Sequence, residues 1–153
     1  MTAPPPSEAM NIILVDDDDG DAKAIRRAFA KARIANPITR FVDPVEALAF
    51  LRRETGTPPG QYIMLVDINM PRMSGLEMLD ALRSDQRLHK AVVFMLTTSR
   101  DERDLMVAHH HNVAGYIVKQ NAGADFLALL DTLDHYWRIV ELPDMRRSAL
   151  EVG

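Results

Sequence analysis

Four short apolar runs, each stopping abruptly in polar residues, constrain this chain more than any other feature. The first, Ile12-Ile13-Leu14-Val15, runs into Asp16-Asp17-Asp18-Asp19. The second, Tyr62-Ile63-Met64-Leu65-Val66, runs into Asp67-Ile68-Asn69-Met70-Pro71. The third, Ala91 to Leu96, runs into Thr97-Thr98-Ser99, and the fourth, Tyr116-Ile117-Val118, delivers Lys119. Apolar runs this short, with helical patterns between them, predict strands buried on both faces and therefore a parallel sheet. Parallel strands point their carboxyl ends the same way, so the four tips converge on one rim. Acids, a hydroxyl and an amine gathered there make a site for a divalent cation and a phosphate group.

The connecting segments agree. Ile25, Ala28, Phe29 and Ala32 recur at helical spacing in a segment ending near Ala35, and a short strand is expected over Ile38 to Val42. Asp43-Pro44-Val45-Glu46 supplies an N-cap, a proline at the first helical position and a glutamate three residues after the cap. That helix is expected to reach about Arg53. Gly75 sets the start of a third helix marked by Leu76, Leu79 and Leu82, and a fourth is expected from about Asp101 to Asn112. A fifth, from about Ala124 to Val140, carries Phe126, Leu130, Leu133, Trp137 and Val140. Strand and helix alternating on this scale predict a doubly wound α/β domain with right-handed crossovers. The proline-rich residues 1–10 are expected to be a disordered lead-in, 11–140 the domain, and 141–153 a tail too short for a DNA-binding or catalytic output domain.

Composition removes several classes of function. At 153 residues and 47% hydrophobic the chain can bury one ordinary core. Its longest apolar run falls far short of the roughly 20 residues a bilayer needs, and the N-terminus lacks the basic and apolar regions of a secretory signal. A cytoplasmic protein with no membrane partner is expected. The absence of cysteine excludes disulfides and thiolate metal sites and suits the cytosol. A net charge of −4 argues against a nucleic-acid partner.

At the rim, Asp67 is the candidate nucleophile, since a carboxylate can take a phosphoryl group as an acyl phosphate. Asp16 and Asp17 would lie beside it. Carboxylates about 4 Å apart repel by a few kcal/mol per pair at an effective dielectric near 20, so the cluster calls for a cation. Mg²⁺ suits it, as a hard ion that takes oxygen ligands and bridges to phosphate. Asp18, Asp19 and Asp21 read as capping and first-turn helix charges.

As a set, these motifs resemble the receiver domain of bacterial two-component response regulators, over roughly Asn11 to Val140. They are the acid pair after the first strand, Asp67 opening Asp-Ile-Asn-Met-Pro, then Thr97 and Lys119. The resemblance implies a flavodoxin-like five-stranded sheet of order 2-1-3-4-5. It implies phosphorylation of Asp67 by a sensor histidine kinase, with signalling through contacts to a downstream protein. It also implies Mg²⁺ held by Asp17, Asp67 and the Asn69 backbone carbonyl, with Asp16 acting through water. Thr97 and Lys119 would neutralise the transferring oxygens. Thr97 and Tyr116 would switch together; the plainer reading of Tyr116 is an amphipathic strand residue with its hydroxyl in water. Ser99 sits where the family tunes phosphate lifetime. The Leu96-Thr97-Thr98-Ser99 stretch, Tyr136-Trp137 and Glu141-Leu142-Pro143 further resemble stand-alone regulators paired with phytochrome-type kinases.

One departure is Gln120, where the family usually has proline after a cis bond. A cis bond before glutamine costs about 2.5–4 kcal/mol, against under about 1 before proline, so a trans loop of different shape is expected. His109-His110-His111 point in three directions if helical, and read as residues favoured near a helix C-terminus. Competing functions are a phosphorylation-independent adaptor, a Mg²⁺-dependent phosphatase and a flavodoxin-like cofactor binder. The phosphatase needs a general acid where Asn69 stands, and the cofactor binder needs a phosphate-cradling loop where four acids stand. Finally, a fifth helix about 25 Å long would overhang strands of about 17–20 Å. Its overhanging end carries Tyr136, Trp137, Ile139 and Val140, with Leu142 beyond, and an exposed apolar group there predicts a homodimer through this helix and the tail. The opposing expectation is a tail folded back over the patch.

Overall fold

The computed structural model describes residues 10–108, 112–128 and Met145. Strands and helices alternate as β1 (Asn11–Val15), α1 (Asp19–Lys31), β2 (Ile38–Phe41), α2 (Pro44–Leu51), β3 (Tyr62–Asp67), α3 (Gly75–Ser84), β4 (Val92–Thr97), α4 (Arg100–Ala108) and β5 (Gly115–Val118). A 3₁₀ turn, Lys119–Asn121, then leads into α5, described over 122–128. All strand pairs are parallel and the order is β2-β1-β3-β4-β5, as the resemblance implied.

Both faces of the sheet are buried because successive side chains alternate between two apolar layers. Ile13, Val15, Met64, Val66, Val93 and Met95 face a layer that includes Leu48 and Leu51 of α2 and Met78, Leu79 and Leu82 of α3. Ile12, Leu14, Ile63, Leu65 and Leu96 face Ile25 and Phe29 of α1 and Phe126 of α5. Phe29 and Phe126 stack with centroids 4.8 Å apart, tying the first helix to the last. The register then aligns the tips. Val15 lies opposite Val66, Asp67 opposite Leu96, and Thr97 opposite Val118, so Asp16, Asp67, Thr97 and Lys119 end in one row.

Several boundaries differ from the sequence reading. Helix α1 ends at Lys31, not near Ala35: Arg33 takes a left-handed φ of 59°, and the Ile34 N–H returns to the Phe29 carbonyl at 2.9 Å. Ile34 is thereby folded onto the core. Helix α2 ends the same way, with Arg53 at φ 66° and the Glu54 N–H on the Ala49 carbonyl. Met10, expected in the lead-in, is fully buried, and the Asn36 side chain donates to its carbonyl at 3.2 Å. Helix α3 starts at Gly75 behind a Ser74–Glu77 capping box. The glycine is demanded by close approach, since a Cβ there would lie 2.3 Å from the Asp67 carbonyl oxygen and 2.9 Å from Ile68 Cα.

The Lys119–Gln120 bond is trans, as no cis peptide occurs among the described residues. Met145 in the tail is buried in the layer containing α2 and α3, and its N–H donates to the Gly60 carbonyl at 2.8 Å. The histidine run at 109–111, Leu130, Leu133 and the expected dimer group (Tyr136, Trp137, Ile139, Val140, Leu142) lie outside the described residues. No described helix is long and apolar enough to cross a membrane.

Candidate functional site

The loop after β1 is fixed by its neighbours before any ligand is considered. The Asp16 N–H donates to the Phe41 carbonyl of β2 at 3.1 Å. Arg40, also on β2, donates from Nε (3.1 Å) and Nη2 (2.9 Å) to the Asp16 carbonyl oxygen, and its Nη1 pairs with Asp19 Oδ1 at 2.7 Å. The Asp16 side chain, fully buried, accepts the Asp18 N–H on Oδ1 at 3.0 Å. Asp18 in turn caps α1 by accepting the Asp21 N–H at 2.8 Å.

Asp67 closes β3 and is 3% exposed. Its Oδ1 accepts the Asn69 N–H at 3.2 Å, and its Oδ2 lies 3.2 Å from Lys119 Nζ. The Lys119 ammonium also reaches Asp16 Oδ2 at 3.0 Å and Asp21 Oδ2 at 2.6 Å. Asp21 therefore does more than charge the first turn of α1, which is all its position in the sequence signalled. It sits in the first turn of the helix, within reach of Lys119 at the tip of β5. Arg40 was missed for a similar reason, being one arginine among many on an exposed-looking strand.

Burial drives the protonation behaviour. Desolvation lifts the Asp67 carboxyl from its ordinary 3.8 to about 6, with the Asp16 charge adding to the rise and the Lys119 charge opposing it. Burial likewise raises Asp16, against the Asp18 N–H and Lys119. For Lys119, burial pulls downward but the hydrogen bond to Asp21 and the nearby charges of Asp16 and Asp67 outweigh it. The amine stays protonated.

Asp16, Asp17 and Asp67 each offer an oxygen within 4.8 Å of the others. Asp16 Oδ2 is buried and accepts no directed hydrogen bond; the nearby ammonium satisfies it by charge alone. Three carboxylates outnumber the one ammonium, the donors are all oxygen, and a buried lone pair is left over. A hard divalent cation fits this set.

Other expected site residues are turned elsewhere. The buried Thr97 hydroxyl donates to the Ile117 carbonyl at 3.4 Å across the sheet. The Tyr116 hydroxyl donates to the Met106 carbonyl of α4 at 3.3 Å, so it is not held by water as the plainer reading had it. The Asn69 side chain donates to Glu102 Oε2 of α4 at 3.2 Å.

The family model for the response regulator receiver domain matches residues 12–131. The probable methanogenesis regulatory protein FilR2 of Methanothrix harundinacea is 31% identical over 127 residues, 82% of each chain. Among solved structures, the bacteriophytochrome response regulator RtBRR is 30% identical with a TM-score of 0.70, covering 90% of this chain and 89% of that one. The Mn²⁺-bound form of response regulator Rcp1 is 26% identical with a TM-score of 0.62, covering 88% of this chain and 99% of that one.

Proposed function

The chain belongs to the response regulator receiver family, and on that premise we propose that it is a single-domain regulator that accepts a phosphoryl group on Asp67 from a sensor histidine kinase. The observation carrying this is the Asp67 carboxylate, buried at the tip of β3, 3.2 Å from the Lys119 ammonium and grouped with Asp16 and Asp17. At neutral pH a carboxyl at about 6 is mostly ionised and nucleophilic. In the transfer, an Asp67 oxygen forms a bond to phosphorus while the bond from phosphorus to the kinase's histidine nitrogen breaks, and the departing imidazole retains or picks up a proton. Hydrolysis of the acyl phosphate returns inorganic phosphate and the free carboxylate. Both are the protein's own phosphorylation cycle, not turnover of a separate substrate.

Mg²⁺ fits the acid group, with Asp17, Asp67 and the Asn69 carbonyl as ligands and Asp16 through water. The Mn²⁺-bound relative supports a divalent ion here. Such a cation supplies charge neutralisation for the phosphoryl oxygens. Lys119 adds a compact positive charge beside Asp67, and Thr97, released from Ile117, would add a donor and carry Tyr116 with it. The phytochrome-linked neighbours favour a phytochrome-type kinase as donor, with output through protein contacts. The test is phosphotransfer from purified phytochrome-type and unrelated histidine kinases, read by intact-protein mass. A single added phosphoryl group, absent in Asp67→Asn, is expected. Faithful binding to partners by Asp67→Asn with no labelling of the parent would favour the phosphorylation-independent adaptor instead.

A further inference from the structure

Glu102, in the first turn of α4, makes contacts that its helix does not require. Ser99 Oγ accepts the Glu102 N–H at 3.1 Å, which is half of a capping box. The other half would turn the Glu102 carboxylate back to the Ser99 N–H. It goes elsewhere: Oε1 accepts the Thr98 N–H at 3.1 Å, and Oε2 accepts the Thr98 hydroxyl at 3.2 Å and the Asn69 side-chain amide at 3.2 Å. Three donors from two loops thus converge on one carboxylate. Both loops flank the acceptor. Asn69 also holds Asp67 Oδ1 through its main-chain N–H. Thr98 follows Thr97, which closes β4 beside β3.

We infer that Glu102 is a positioning residue that occupies, in the unphosphorylated protein, the rim donors of Asn69 and Thr98 that a phosphoryl group on Asp67 would use. This rests on Asp67 being the phosphorylation site. A phosphoryl group brings close to two negative charges and oxygens that need donors. Glu102 is a like charge that already holds the Thr98 N–H and hydroxyl and the Asn69 side-chain amide, so the two anions compete. Phosphorylation must release Glu102, and with it the tie from α4 to the loops after β3 and β4. Glu102 therefore slows labelling by anionic donors, shortens the life of the acyl phosphate, and links phosphorylation to the start of α4.

The experiment is labelling of the full chain by acetyl phosphate with Mg²⁺, followed by intact mass, for the parent, Glu102→Gln, Glu102→Ala and Asp67→Asn. Glu102→Gln removes the charge but keeps an acceptor, and Glu102→Ala removes both. At low salt Glu102→Gln is expected to label about fivefold faster than the parent, and Glu102→Ala faster still with slower loss of phosphate. In 1 M salt, where charges are screened beyond about 3 Å, the Glu102→Gln gain should fall below about twofold. A loosened α4 alone would give no such salt dependence. Mg²⁺ affinity of the unlabelled variants should match the parent, because Glu102 is not in the acid cluster. Labelling at the parental rate in both Glu102 variants overturns the inference while leaving Asp67 as the site. Labelling of Asp67→Asn equal to the parent, or none of the parent, overturns the assignment of Asp67 and the inference with it.

Discussion

Replacing Asp67 by asparagine should stabilise the metal-free protein at neutral pH, although it destroys the proposed function. Folding lifts the Asp67 carboxyl from 3.8 to about 6, chiefly by burying it. A raised carboxyl means that the folded state holds the proton more tightly than the unfolded chain does, so the ionised form opposes folding. The parent is unpenalised below about pH 4 and loses stability as pH rises through about 6. At about 1.36 kcal/mol per pKa unit, the full penalty is about 3 kcal/mol above pH 7. Lys119 already counts within that value, and it keeps Asp16 and Asp21 in the variant. Asparagine does not titrate, but its amide can turn a donor toward the ammonium, so a gain of about 1–3 kcal/mol is expected. Urea unfolding of both proteins in EDTA, at pH 4 and pH 7.5, measures it. The variant should lead at pH 7.5, and the difference should close at pH 4. Added Mg²⁺ should narrow the gap at pH 7.5 by stabilising the parent more. A variant that is less stable at pH 7.5, or equally advantaged at both pH values, would refute the reasoning.

Asp17→Ala should abolish the thermal shift that Mg²⁺ gives the parent yet unfold no earlier without metal; an undiminished shift would remove Asp17 from the ligands. Gly75→Ala should lose about 3 kcal/mol and label more slowly, because its Cβ would meet the Asp67 carbonyl at 2.3 Å and push the acceptor strand; a parental melting temperature would contradict that close approach. Arg33→Gly should gain about 0.5–1 kcal/mol by relieving a left-handed φ of 59°, seen as a melting temperature a few degrees higher. Sedimentation at tens of micromolar tests the homodimer proposed through Tyr136, Trp137, Ile139, Val140 and Leu142: the parent should run as a dimer and Trp137→Ala as a monomer, and a monomeric parent ends the idea. The buried Met145, the one described tail residue, packs on the layer of α2 and α3 and donates its N–H to the Gly60 carbonyl, so it does not bear on the helix-five patch.

What could be read from the sequence divides along a physical line. Strands buried on both faces announce themselves, because a continuous apolar run of four to six residues that stops in polar residues is too short for a buried helix. That is why β1, β3 and β4 and their tips were placed to within a residue. The end of α1 at Arg33 was not legible, since the left-handed residue that stops a helix is usually glycine and here is arginine. The same limit applies at the rim. Which acids share the site follows from strand register, a backbone property that the hydrophobic pattern fixes. Which partner each side chain chooses depends on reach and competition among charges close in energy. Asp21 and Asp19 are both first-turn acids of α1 by sequence, yet one pairs with Lys119 and the other with Arg40. Glu102 looks like the second half of a Ser99 capping box, yet it leaves the helix for Thr98 and Asn69. The backbone delivers chemical groups to the rim with little ambiguity, and the connections among those groups, where regulation of the proposed phosphorylation site would be set, are decided only by three-dimensional distance.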